Sequence, residues 1–322
     1  MNEMDRREFI MKEGSKVNVR EMIAKNKSAK SINTIVEKVI PKGLLLIAII
    51  SILTTVGIVL TLLFETFEFF KRVPFLDFFT GTVLKPLGDN AEFGVLPLLT
   101  GTIISSAIAM LVAIPVGMMS AIYLSEYASE RVRKILKPIL EILAGIPTIV
   151  YGFFALTFVT PLLQSIIPGL EPTNILSPGI VMGIMIIPMV ASLSEDAMSS
   201  VPNSIREGAL GLGSTKLEVT WKVVIPAAMS GIIASFVLGI SRAIGETMIV
   251  TLASGSSKNF TFDVTQSMQT MTSYIVEVNS GDAPAGSTLY YSLYAVAITL
   301  FVFTLVMNLL AQYISRKFKE EY

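Results

Sequence analysis

The stretch 43–64 constrains this chain more than any other part of the sequence, because its 22 residues contain no charged side chain. At a rise of about 1.5 Å per residue, a helix of that length crosses the apolar core of a bilayer. Long apolar stretches recur at 95–124, 138–163, 176–193, 223–253 and 289–314. The sequence therefore predicts an all-α integral membrane protein with six transmembrane helices.

The composition supports a membrane protein and disfavours most enzyme classes. Of the 322 residues, 16% are charged, against about 25% in soluble domains. The chain contains neither cysteine nor histidine. Disulfides and thiolate metal sites are therefore excluded, and the commonest metal ligand and proton carrier is missing. We expect no metal site, no cofactor, no enzymatic activity and no nucleic-acid partner.

Basic residues are distributed unevenly between the predicted loops. Twenty Lys and Arg residues fall on one side of the membrane and four on the other, if the spans alternate in direction. The rich side comprises 1–42, 125–137, 194–222 and the tail. Because basic loops stay inside, both termini are predicted to be cytoplasmic.

These boundaries divide the chain into five predicted regions. They are a basic cytoplasmic extension (1–42), a first transmembrane helix (43–64), an extracytoplasmic loop (65–94), a five-helix core (95–315) and a cytoplasmic tail (316–322).

A polar segment at 202–226 separates the fourth and fifth predicted spans. Gly211 and Gly213 allow the backbone to turn sharply after a short helix. Ser214 or Thr215 can cap a second short helix. Two helices joined by this glycine elbow would form a knob that projects from the membrane. The chain has no G-x-x-x-x-G-K-[ST] motif, so it cannot bind ATP through a P-loop of its own.

Arg242 and Glu246 lie inside the fifth apolar stretch. At positions i and i+4 of one continuous helix they would share a face. They can form a structural ion pair, or they can line a solute pathway in which the guanidinium meets an oxyanion and releases the carboxylate. The pathway is favoured, because ionisable residues inside a membrane usually mark one.

Glu141 also falls within a predicted span. We expect it at the inner interface, either snorkelling towards water or paired with Lys134 or Lys137, and favour a transport role less for it than for Arg242.

The segment before the fifth span resembles the EAA loop of ABC importer permeases, E-A-A-x3-G-x9-I-x-L-P. The matching residues are Glu207, Ala209, Gly213, Val223, Ile225 and Pro226. Gly208 replaces the second alanine and should loosen the helix by about 1 kcal/mol. In that family the loop is a coupling helix that docks on the ATPase subunit. The resemblance implies that Glu207, Gly208, Ala209 and Gly213 contact a separate ATPase.

Three stretches, 93–102, 143–154 and 239–248, resemble PstC-type permeases of phosphate-specific ABC transporters. This resemblance covers about residues 93–315. It implies the type I importer architecture, in a prokaryotic cell membrane. It also implies a second, homologous permease, an ATPase dimer and an extracytoplasmic phosphate-binding protein as partners. Arg242 and Glu246 would then act in translocation of inorganic phosphate.

Two alternatives remain open from the residues themselves. An Arg–Glu pair does not select phosphate, so a permease for sulfate or molybdate is the runner-up. An ion-gradient-driven secondary transporter or channel is less favoured, and a membrane enzyme is the weakest alternative.

Overall fold

The computed structural model describes residues 19–88, 90–281 and 283–317, with side chains described between residues 39 and 315 of these ranges. Most of the predicted tail, 316–322, and residues 1–18 of the predicted extension lie outside them. The described α-helices and strands, in chain order, are α1 Val19–Phe70, α2 Phe75–Thr80, β1 Leu84–Lys85, β2 Glu92–Phe93, α3 Leu96–Ile122, α4 Glu130–Ala144, α5 Thr148–Phe154, α6 Thr160–Gln164, α7 Leu176–Ser199, α8 Asn203–Gly211, α9 Lys216–Val219, α10 Ile225–Ala227, α11 Met229–Ile244, α12 Met248–Ala253, α13 Met271–Ser280 and α14 Thr288–Lys317. Three π-helical turns, Tyr123–Tyr127, Ala155–Val159 and Thr220–Val224, directly follow α3, α5 and α9.

The chain forms two compact units, residues 1–61 and 62–322. In the first unit, helix α1 begins at Val19, well before the predicted start at residue 43. Residues 19–42 include five lysines, two glutamates and two alanines, residue types that favour helix. Between Val39 and Thr61 no side chain is buried. From residue 43 onward this exposed segment has no charged side chain, so it is suited to contact with lipid.

In the second unit, helix α3 packs closely along helix α7. A β-carbon at Gly183 of α7 would lie 2.6 Å from the β-carbon of Val112 on α3, closer than two such atoms can approach. Glycine therefore lets the two backbones meet, as small residues do in membrane helix pairs. Helix α11 packs against both α7 and α14, which completes the centre of this unit.

The third predicted span, 138–163, is not one continuous helix. Helix α4 and the helical segment Thr148–Gln164 are bent by 86° relative to each other. The break falls at Gly145–Pro147, where Pro147 has no amide hydrogen to donate and restricts the residue before it. The hydroxyl of Tyr151 donates to the carbonyl of Leu143 at 2.9 Å and holds α4 against α5 across the bend.

The fifth predicted span, 223–253, is broken as well. The helical segment Lys216–Ala227 meets α11 at 70°, and α11 ends at Ile244, before the short helix α12. In the described ranges, four helices are long and apolar enough to cross a membrane, and up to six if each bent pair counts as one span. The prediction of six spans is compatible with the higher number.

The predicted loop 65–94 contains ordered structure. Strands β1 and β2 pair in antiparallel fashion, with Leu84 opposite Phe93. Phe69 and Phe78 are buried beside Phe93 in a shared apolar cluster. The same cluster includes Tyr274 of α13, whose pKa burial raises to about 12. The two predicted loops 65–94 and 254–288 therefore pack on each other.

Candidate functional site

Arg242 and Glu246 do not lie on one continuous helix. Arg242 is in the last turn of α11, and the helix ends two residues later. The carboxylate of Glu246 accepts hydrogen bonds from the backbone amides of Met248 at 3.1 Å and Ile249 at 3.4 Å, so it caps helix α12. The prediction that the two side chains share one helix face is therefore wrong. The Glu246 carboxylate is hydrogen-bonded to backbone amides instead.

A hydrogen bond from helix α13 stabilises the helix break between α11 and α12. The hydroxyl of Thr272 donates to the carbonyl of Glu246 at 2.8 Å. Glu246 itself is 8% exposed. A carboxylate at a helix N-terminus is stabilised by the free amides and by the helix dipole. These hydrogen bonds fix the residue at which α11 ends, and therefore the position of Arg242.

Arg242 extends from α11 into a cavity of about 470 Å³ between α4, α7 and α11. One of its terminal nitrogens lies 3.5 Å from the sulfur of Met185, and the side chain is exposed in the single chain. Within the described ranges, Arg242 forms no ion pair with a carboxylate. Apart from the donor that meets the Met185 sulfur, the guanidinium donors therefore remain available to the cavity.

Glu141 of α4 lines the same cavity as Arg242. The predicted partner Lys137 instead pairs with Glu195 at 2.7 Å and Asp196 at 3.0 Å, both on α7. In the part of the chain that the structure describes, Glu141 has no ion-pair partner among the lysines of α4. Its predicted pairing with Lys137 is wrong, because the ammonium of Lys137 is bonded to Glu195 and Asp196 of α7.

The predicted knob at 202–226 consists of α8, an elbow and α9. Gly213 has a positive φ of +90°, the conformation that favours glycine. Thr215 caps α9, since its hydroxyl accepts from the amide of Glu218 while the Glu218 carboxylate accepts from the amide of Thr215. The predicted elbow is confirmed at Gly213, whereas Gly211 is the last residue of α8, and the predicted cap is confirmed at Thr215.

Residues of the knob differ in their accessibility. Glu207 and Gly208 are exposed, whereas Ala209 is half-buried and packs against the apolar cluster under the knob. Several large apolar side chains remain exposed there: Leu210, Leu212, Leu217 and Trp221. A patch of this kind on a short projecting segment is typical of a protein contact surface.

The family model described as "Binding-protein-dependent transport system inner membrane component" matches residues 113–320, well over half of the chain. The chain belongs to this family.

Two relatives of this transport family show how far the similarity extends. The chain is 33% identical over 244 residues to the "Probable ABC transporter permease protein YqgH" of Bacillus subtilis, covering 76% of this chain and 79% of that protein. It is 30% identical over 315 residues to the "Phosphate transport system permease protein PstC" of Haemophilus influenzae, covering 91% of this chain and 98% of the relative.

Solved structures of family permeases share the fold. The chain matches a bacterial ABC transporter involved in the import of the acidic polysaccharide alginate with a TM-score of 0.56 and 16% identity. The match covers 79% of this chain and 88% of that one. At that identity the likeness establishes the architecture alone. Together with the family match and the apolar helices, it gives a multi-pass membrane protein of the ABC importer fold.

The sequence did not predict the ion pair of Arg206 at the base of the knob. Arg206 of α8 forms an ion pair with Glu126 at 3.1 Å and donates to the carbonyl of Met198 at 2.7 Å. It therefore ties the base of the knob to the helical turn that follows α3 and to the end of α7. The two charges are 80 residues apart in sequence, so no local pattern could have paired them.

No group of three or more His, Cys, Asp or Glu side chains that could hold a metal ion occurs among the described residues. The oxygen and nitrogen groups of the cavity are those of Glu141, Ser192 and Arg242. A guanidinium is a donor of hydrogen bonds to anions, not a metal ligand. The arrangement is suited to bind an anionic solute.

Proposed function

We propose that this chain is the membrane subunit of an ATP-driven importer of inorganic phosphate, in a prokaryotic cell membrane with both termini in the cytoplasm. One observation carries the proposal: Arg242 is exposed beside a cavity between membrane helices. An arginine in the middle of a bilayer costs on the order of 2.5–3.5 kcal/mol by insertion scales. Arg242 must therefore face water or another protein, and a solute pathway provides both.

The chemistry of the site favours an oxyanion. A guanidinium presents paired donors that match two oxygens of a tetrahedral anion. Because Glu246 caps α12, it does not compete for these donors. In this proposal Glu246 serves the pathway by fixing the helix break next to Arg242. The name of the Haemophilus influenzae relative supports phosphate as the anion.

A second permease would complete the pathway. The cavity beside Arg242 opens on the surface of the single chain, where an exposed charge would otherwise meet lipid. A homologous permease docked there would enclose the cavity between two bundles. Alternating closure of the two bundles at either end would expose the site first outside and then inside.

The energy would come from a partner ATPase dimer that docks on the knob, and an extracytoplasmic binding protein would deliver the phosphate. Glu207, Gly208 and the exposed Leu212 form an accessible surface on one short segment. The excess of basic residues in the same predicted loops supports a cytoplasmic position for that surface. Nucleotide-driven movement of the ATPases would reach the bundle through the ion pair of Arg206 and Glu126.

Phosphate uptake by the complete transporter, reconstituted with its partner subunits, tests the proposal. Arg242→Gln should reduce uptake of labelled phosphate to background and leave the subunits assembled. Arg131→Gln, which removes an exposed arginine of α4, is the matched control and should retain uptake. Normal phosphate uptake by the Arg242→Gln transporter would refute the pathway.

The energy source is tested with the same preparation. Uptake should require hydrolysable ATP and the ATPase subunits, and the purified chain alone should move nothing. Uptake driven by a membrane potential without ATP would instead identify a secondary transporter. Uptake of labelled sulfate or molybdate in place of phosphate would identify a permease for another oxyanion.

A further inference from the structure

We propose that the cavity beside Arg242 is a discrete binding site for protonated tetrahedral oxyanions, in which Glu141 accepts a hydrogen bond from the anion and thereby excludes sulfate. The inference rests on the proposed function, since it takes Arg242 as the cation that meets the solute. It adds Glu141 as the residue that selects among oxyanions.

Two charged side chains of opposite sign line this cavity. Glu141 comes from α4 and Arg242 from α11, and Ser192 of α7 contributes a hydroxyl between apolar residues of the wall. The volume of about 470 Å³ lies within the range of small-molecule sites, about 300–1,000 Å³. The cavity therefore has room for one small anion together with some of its water.

Glu141 is held over the cavity by contacts on both sides of it in α4. One turn before it, Lys137 pairs with Glu195 and Asp196 of α7. Two residues after it, the carbonyl of Leu143 accepts the hydrogen bond of Tyr151. These ties fix α4 against α7 and against α5, so the carboxylate is placed by its helix and not by a local ion pair.

A guanidinium alone cannot separate phosphate from sulfate, because both present charged oxygens to its donors. A carboxylate is an acceptor only, and it repels an anion unless that anion brings an O–H group. Near neutral pH inorganic phosphate and arsenate keep at least one proton, whereas sulfate has none. A site built to bond a solute hydroxyl rejects the analogue that lacks it, because its own polar group is left unsatisfied.

The expected difference in affinity between phosphate and sulfate depends on how exposed the site is to solvent. A hydrogen bond to a charged group changes binding by about 10- to 100-fold. Since Glu141 and Arg242 are both exposed in the single chain, solvent weakens the repulsion, and the lower end of that range applies. We expect arsenate to match phosphate, and sulfate to bind at least about 10-fold more weakly.

Equilibrium binding to the assembled transporter in lipid nanodiscs, without binding protein or nucleotide, tests the inference directly. The probe is radiolabelled inorganic phosphate, with arsenate or sulfate as competitor. In the unmodified transporter arsenate should displace phosphate and sulfate should not. Equal displacement by sulfate, or no saturable phosphate binding, would overturn the discrete selective site.

Glu141→Gln tests the role of the carboxylate, because an amide of the same shape can donate to sulfate. This variant should bind phosphate about 10-fold more weakly and let sulfate compete. Glu141→Asp, which keeps the carboxylate, should keep the exclusion of sulfate. Glu130→Gln, an exposed carboxylate at the start of α4, is the control and should leave binding unchanged.

The variants separate this inference from the proposed function. If Arg242→Gln abolishes phosphate binding while Glu141→Gln alters neither phosphate binding nor the exclusion of sulfate, the role of Glu141 is refuted and the pathway stands. If Arg242→Gln also binds phosphate normally, the proposed function falls with it.

Discussion

The Nζ atom of Lys137 on α4 lies 2.7 Å from a carboxylate oxygen of Glu195 on α7. Arg133, one turn earlier on α4, lies 2.9 Å from the other carboxylate oxygen. The side chain of Glu195 is only 3% exposed. Helix α4 has no buried side chains, and these ion pairs tie it to α7.

Replacement of Glu195 should therefore destabilise the protein. Removal of one member of a buried ion pair costs about 3–5 kcal/mol. Both cations of this network are about a third exposed and can be rehydrated, so we expect a smaller loss for Glu195→Gln, about 1–3 kcal/mol. Thermal unfolding of the assembled transporter in detergent measures it.

Asp196→Asn is the matched control for this prediction. Asp196 also bonds Lys137, at 3.0 Å, but its side chain is 61% exposed. An exposed ion pair contributes about 0–1 kcal/mol. Equal loss of stability in the two variants would mean that burial of Glu195 does not matter.

The long helices could be predicted from the sequence because hydropathy is a local property. The predicted stretch 176–193 is confirmed within α7, and 289–314 is confirmed within α14. The turn glycine and the helix cap of the knob could be predicted for the same reason. The positive φ at Gly213 and the hydrogen bonds of Thr215 depend on neighbours in sequence.

The helix breaks could not be predicted from hydropathy, because they depend on Pro147 and on hydrogen bonds, neither of which hydropathy registers. The bend after Ala144 is held by Tyr151, and the break at Glu246 by Thr272. An i, i+4 pattern for Arg242 and Glu246 assumed an unbroken helix. The carboxylate of Glu246 bonds the backbone amides at the start of α12 and not Arg242.

Gly213→Ala should weaken coupling of the knob to its partner. An L-residue at φ +90° is strained by about 1–2 kcal/mol. No atom lies within 4 Å of the added β-carbon, so the effect arises from the backbone alone. We expect ATP hydrolysis with reduced phosphate uptake.

Gly208→Ala provides the opposite control for Gly213→Ala. Gly208 lies inside α8 with open space around it, so alanine should strengthen the helix by about 1 kcal/mol. Uptake by this variant should be normal. Identical behaviour of the two alanine variants would contradict a specific role for the elbow.

Leu212→Ser should weaken association with the ATPase without unfolding the chain. Leu212 is 90% exposed, and surface substitutions change stability by about 0.5 kcal/mol or less. Co-purification of the ATPase subunits measures the effect. Leu87→Ser, at a leucine 76% exposed between β1 and β2, should leave that association intact. A loss of ATPase from both variants would argue against a contact surface on the knob.

Glu246 and Arg242 should respond differently to neutral substitutions, because one side chain bonds the backbone and the other faces the cavity. In Glu246→Gln the amide oxygen can still accept from Met248 and Ile249, and only the charge at the start of α12 is lost, about 0.3–1 kcal/mol. We expect this variant to keep most of its phosphate uptake. Glu246→Ala removes the cap and should cost about 1 kcal/mol of unfolding free energy and more of the uptake. If Glu246→Gln abolishes uptake as Arg242→Gln does, with normal stability, then the Glu246 charge acts on the solute and capping is not its main role.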